Sequence, residues 1–173
     1  LSSVPAFQRR FIMFQNPILG LLAGALLTAA IQSSSASVGI LQALAATGAV
    51  TYGAAIPIIM GQNIGTCATA MISCVGAGKN AKRAALVHLS FNVIGSAVCL
   101  TVFMALRALY SPLFLTEAAS LTGIAAAHTV FNVLCVLLML PLSGFLERLV
   151  RRLIPDGMPV KSAGRLFGKR YAL

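Results

Sequence analysis

Between Pro17 and Leu142 the only charged residues are Lys79, Lys82, Arg83, Arg107 and Glu117, and each falls between apolar runs. Such runs suit lipid, which offers no hydrogen bonds, so the backbone groups of each run must be satisfied within it, as a helix does. The composition agrees. Of all residues 58% are hydrophobic and 9% charged, against roughly 25% charged in soluble domains. A net charge of +10 would point to nucleic acid in a soluble chain. Here the basic residues cluster between and beyond the apolar segments, the positive-inside pattern of a membrane protein, and no nucleic-acid partner is expected.

One polar tract, Gln32-Ser33-Ser34-Ser35-Ala36-Ser37, stands between the apolar runs Pro17 to Ile31 and Val38 to Ala46. Its amide and hydroxyls have to be met by backbone, by protein or by a solute from water. A single serine would bond back to its own helix or ease helix packing. Three in succession cannot all face one partner helix, so the tract reads as a break whose backbone and hydroxyls line a cavity. Pro17 suits a first helical turn and Asn16 its cap. Both arms are short: the fifteen positions from Pro17 to Ile31 span about 22 Å, less than the roughly 30 Å of a hydrocarbon core. A re-entrant helical hairpin is expected, with a single broken span over residues 17–47 as the alternative.

Residues 53–75 read as a crossing helix interrupted at Gly61-Gln62-Asn63-Ile64-Gly65-Thr66. Each glycine costs a helix about 1 kcal/mol relative to alanine, and asparagine favours caps and turns. Unwinding there would free carbonyls at Gly61 and Gly65 for a cation and present Thr66 and Thr69 at the start of a second half-helix. The alternative is a small-xxx-small face, Gly61 and Gly65 allowing close helix packing.

Two plain spans follow, Ala84 to Leu106 and Gly123 to Leu142, separated by a loop with Pro112 and Glu117. Each carries the same spacing, His88-x-x-Phe91-Asn92 and His128-x-x-Phe131-Asn132. Residues four apart share a helix face, and both His/Asn pairs are assigned a structural polar role. Cys67, Cys74, Cys99 and Cys135 lie inside apolar runs without CxxC spacing and read as small core residues, neither disulfides nor metal ligands. No carboxylate lies in a span and neither histidine has a nucleophile at fixed helical spacing, so an enzyme is not expected.

The organisation expected is an interfacial lead-in over 1–16, the hairpin and broken helix over 17–76, two scaffold helices over 77–143, and an amphipathic helix with a basic cytoplasmic linker over 144–173. The sequence starts at Leu1 without methionine, which fits an excerpt or a processed product; Arg9 and Arg10 before an apolar run imitate a signal peptide, but Asn16-Pro17 interrupts the junction. With a hairpin at 17–47, ten basic residues fall on one side, from Lys79 to Arg83 and from Arg148 to Arg170, and Arg9, Arg10 and Arg107 opposite. The richer side should be the cytoplasmic face of the plasma membrane.

Gln32-Ser33-Ser34-Ser35-Ala36, followed by Gly61-Gln62-Asn63-Ile64-Gly65-Thr66, resembles the sodium/phosphate cotransporter type II family, in particular its bacterial branch. The resemblance continues through Ala81-Lys82-Arg83-Ala84, His88, Phe91-Asn92 and His128 to Asn132. It implies one half of an inverted-repeat transporter, here the second QSSS repeat with closing spans. A first repeat is then expected upstream in the same polypeptide, and a PhoU-like cytoplasmic domain near residues 155–173. Cys67 stands where many members carry threonine. On this resemblance Ser33, Ser34 and Ser35 would bind phosphate, and Gln32, Asn63, Thr66, Thr69 and the Gly61 and Gly65 carbonyls would bind sodium, the coupling ion, with no other cofactor. The alternatives are a cotransporter of another oxyanion or a dicarboxylate, and a phosphate-sensing membrane scaffold without net flux.

Overall fold

A computed structural model describes residues 16–156. The lead-in before Asn16, with Arg9 and Arg10, and the basic linker beyond Asp156, with Lys161, Arg165, Lys169 and Arg170, lie outside the described residues. The described chain is all-helical: α1 (Pro17–Ile31), α2 (Ser34–Ala45), α3 (Tyr52–Ser73), α4 (Lys79–Tyr110), a 3-10 turn (Leu113–Thr116), α5 (Leu121–Met139) and α6 (Ser143–Leu153). Three of these, α3, α4 and α5, are long and apolar enough to cross a membrane.

Asn16 caps α1 as its sequence context predicts, its side chain accepting from the N–H of Ile18 at 2.9 Å, with Pro17 in the first turn. The chain breaks at only two residues. Gln32 ends α1 in the left-handed region (φ 58°), and Ser33 is extended and caps α2, accepting from the N–H of Ala36 at 3.3 Å. Ser34 to Ser37 already belong to α2, so the break is narrower than the polar tract. Across the break Thr28 Oγ1 donates to Ser37 Oγ at 2.7 Å, both side chains fully buried.

The expected interruption of the next helix is corrected. α3 runs unbroken from Tyr52 to Ser73, through Gly61 to Thr66. The reason lies in α1. A Cβ at Gly61 would collide with the Leu21 carbonyl, one at Gly65 with the Ala25 carbonyl, and one at Gly24 with that of Ile58. The three glycines therefore bring two backbones into direct contact, which is the small-xxx-small arrangement, and packing offsets their helix penalty. The Gly61 and Gly65 carbonyls consequently stay within the helix and are not freed for a cation.

The scaffold helices also differ in extent from the expected spans. α4 has 32 residues, about 48 Å, so it is longer than a hydrocarbon core and includes Lys79, Lys82 and Arg83 at its start. α5 ends at Met139, short of Pro141. The segment between them is not a plain loop, since Ala119 donates to the Val50 carbonyl at 2.8 Å and Tyr52 to the Glu117 carbonyl at 3.1 Å, stitching it to the α2–α3 connection.

α3 is the hub, touching α1, α2, α4 and α5. One core cluster joins Leu41, Ala45, Val50, Ala54, Ala55, Ile59 and Ile124; a second joins Met60, Phe131 and Cys135, with Phe91 and Leu100 against it. Outward-facing Leu26, Leu137 and Leu140 are more than 60% exposed, a distribution suited to lipid or another protein face.

Candidate functional site

A cavity of about 280 Å³ opens where four helices converge. Ser34 comes from the first turn of α2, Asn63 and Thr66 from α3, His88, Phe91 and Asn92 from α4, and His128 and Asn132 from α5. The second core cluster holds it in place, because Phe91 and Phe131, the aromatic members of the two H-x-x-F-N segments, pack around Met60 of α3. Anchoring each phenylalanine fixes the adjacent asparagine one position along the helix, and so the histidine four residues before it.

The wall formed by the start of α2 offers donors. The first turn of α2 spends the Ala36 N–H on Ser33 Oγ and the Ser37 N–H on the Ser33 carbonyl. The N–H groups of Ser34 and Ser35 bond to no acceptor among the described residues, and a helix N-terminus is an anion site by geometry and dipole. The other walls offer acceptors. Asn63 Nδ2 donates to the Ile59 carbonyl at 3.0 Å, and Thr66 Oγ1 to that of Gln62 at 2.9 Å. Asn92 Nδ2 donates to the His88 carbonyl at 3.0 Å and Asn132 Nδ2 to the His128 carbonyl at 2.8 Å. Asn132 Nδ2 also lies 3.4 Å from His128 Nε2.

Of the residues singled out from sequence, the fold thus gathers Ser34, Asn63, Thr66, His88, Asn92, His128 and Asn132 and leaves the others outside this cavity. Ser33 is the helix cap; Ser35 is exposed, its hydroxyl 3.3 Å from that of Ser33. Gln32 and Thr69 are exposed, and Gly61 and Gly65 face α1. Cys67 is buried between α3 and α4, its thiol 3.6 Å from the His88 carbonyl.

Sequence reasoning passed over Gln62. It is fully buried, its Nε2 donates to the Ser37 carbonyl at 3.0 Å, and its Oε1 has no partner among the described residues. It ties α3 to the first turn of α2. The signal was present: adjacent amides point about 100° apart on a helix, so Gln62 and Asn63 serve different neighbours. A further buried tie joins α3 to α4, Ser96 Oγ donating to the Met60 carbonyl at 3.1 Å. A larger cavity, about 440 Å³, lies between α4, α5 and α6. Its polar groups Arg83, Glu147 and Arg151 are engaged in ion pairs, whereas the smaller cavity brings donors and acceptors to face each other.

Comparison with known proteins gives the family. The chain is 39% identical over 135 residues to the uncharacterized protein YqeW of Bacillus subtilis (strain 168), covering 78% of this chain and 43% of that one. It is 42% identical over 99 residues to sodium-dependent phosphate transport protein 2B of Homo sapiens, covering 54% of this chain and 14% of that one. It is 38% identical over 94 residues to sodium-dependent phosphate transport protein 2A of Rattus norvegicus, covering 51% and 15%. The chain therefore spans less than half the length of these relatives. No solved structure matches it significantly. The profile of the Na+/Pi-cotransporter family matches residues 8–141, most of the chain and all of the cavity, and the chain belongs to that family.

Proposed function

We propose that this chain forms part of a sodium-coupled transporter of inorganic phosphate, and that the cavity between the α1–α2 hairpin and the α4–α5 scaffold is where the substrate and its coupling ion meet. The observation that carries the reading is the opposition of chemistry across one small space. Ser34, through its hydroxyl and its unpaired N–H, donates to an oxyanion, while Asn63 and Thr66 turn oxygens toward a cation. Arginine and lysine are absent from this wall, so a cation bound beside the anion would offset its charge in a low dielectric. Alternating access would follow from movement of the hairpin and α3 against α4 and α5.

The same reading takes the chain as the second of two inverted repeats, with the first in the same polypeptide and a cytoplasmic PhoU-like domain as a further partner. It places the start of α4 and α6 on the cytoplasmic face of the plasma membrane. The positive-inside bias and the partial coverage of the relatives support it.

The test is sodium-dependent uptake of labelled phosphate by the whole transporter with Ser34→Ala. Loss of a hydrogen bond to a charged ligand costs about 1.5–3 kcal/mol, so the apparent phosphate affinity should fall by about tenfold or more. Unchanged affinity and rate would remove Ser34 from the site. Competition by arsenate, but by neither sulfate nor succinate, would assign the anion class.

A further inference from the structure

We infer that Asn92 and Asn132, the last residues of the two H-x-x-F-N segments, are ligands of the coupling cation, contributing their side-chain carbonyl oxygens from the scaffold side of the cavity. The inference rests on the reading of the cavity as a sodium and phosphate site and assigns it two ligands beyond the hairpin and α3.

The argument is one of hydrogen-bond accounting. Asn63, Thr66, Asn92 and Asn132 sit on three different helices, and each gives a donor to the carbonyl four residues earlier in its own helix, at 2.8 to 3.0 Å. That bond holds each amide nitrogen against its own helix and leaves Oδ1, an acceptor only, for the cavity. Among the described residues no donor bonds to Oδ1 of Asn63, Asn92 or Asn132. Asn92 is 7% exposed and lines the cavity, so the cavity is the space its Oδ1 can meet a ligand in. Gln62 and Ser96 differ in that each donates to a backbone carbonyl of a neighbouring helix. Four neutral oxygens without a carboxylate match a monovalent hard cation better than a transition metal, and the described residues contain no His/Cys/Asp/Glu cluster of three or more.

The experiment uses the whole transporter, purified, with sodium chloride compared against potassium and choline chloride in the absence of phosphate. Melting temperature is read for the parent protein and for Asn92→Leu, Asn132→Leu, Asn92→Asp and Asn132→Asp. Aspartate keeps an oxygen but cannot donate to the carbonyl four residues back, so it separates ligation from structural support. The expected result is sodium-specific stabilisation in the parent and both aspartate variants, lost in both leucine variants. In uptake assays the leucine variants should raise the sodium concentration for half-maximal rate by about tenfold, with phosphate half-saturation at saturating sodium little changed. The assignment is overturned if the leucine variants keep the sodium-specific shift, if aspartate fails as leucine does, or if the parent responds equally to all three salts. Absence of sodium-dependent phosphate uptake by the parent would instead overturn the transport reading, because the melting measurement contains no phosphate.

Discussion

Thr28 and Ser37 show how one buried hydroxyl pair joins α1 to α2. Their side chains are both fully buried and 2.7 Å apart across the two-residue break. Ser37→Ala would leave the Thr28 hydroxyl without that acceptor in an apolar setting, which costs about 1–3 kcal/mol. Thr28→Val combined with Ser37→Ala removes both polar groups and should cost less than the sum of the single changes. Thermal denaturation of the purified protein in detergent checks this, and strict additivity would deny the pair its role. At this scale the sequence was partly legible. Ser33, Ser34, Ser35 and Ser37 share one residue type but have separate tasks: helix cap, cavity wall, exposed neighbour of the cap, and buried tie. Only the fold of α1 against α2 distinguishes them.

Among the elements, α1 and α3 have the most demanding contact. Gly61 has the Leu21 carbonyl where a side chain would begin, and backbone cannot move aside as a flexible side chain can. Gly61→Ala should therefore separate the two helices and cost about 3 kcal/mol or more. Gly39, in the middle of α2, has nothing within 4 Å of the corresponding position. There alanine should stabilise, by about 0.5–1 kcal/mol, through helix propensity alone. Paired melting curves of the two variants test the packing account, since an argument from propensity would predict the same sign for both. The Gly61–Gly65 pair also shows why the helix break was misplaced from sequence. Two glycines four apart weaken a helix and equally permit close approach, and the choice depends on whether another backbone lies opposite.

For the molecule as a whole, the start of α4 and the end of α6 are tied at one point. Arg83, 8% exposed, donates from Nε and Nη2 to the Ile154 carbonyl at 3.0 and 2.7 Å and pairs with Asp156 at 2.7 Å. Arg83 hydrogen-bonds and attracts the Asp156 carboxylate, holding its pKa below the ordinary value of 3.8. A carboxyl depressed in the folded state adds stability above its unfolded pKa and loses it as pH falls through the folded one. The tie should thus hold at neutral pH and loosen only in acid below the ordinary carboxylate range. The protection of α6 amides against hydrogen exchange, taken relative to the intrinsic rate at each pH, should be high at neutral pH and lower in acid. Asp156→Asn should remove most of that pH dependence, and Arg83→Gln should speed exchange at every pH. Unaltered exchange in Arg83→Gln would show that α6 is held by Leu146 and Val150 alone.

The sequence alone determined that the chain is helical and lipid-adapted, where α1 starts, and that it is interrupted within the tract Gln32 to Ser37, although the interruption is narrower than the tract. Those properties follow from local chemistry: apolar run length, the cap at Asn16, proline in a first turn, and hydroxyls without partners. Only the tertiary structure decided that α3 stays whole, that Ser34 rather than Ser33 or Ser35 lines the cavity, and that the two H-x-x-F-N segments face it. These depend on contacts between residues far apart in the chain, and a helix face acquires its role from whatever packs against it.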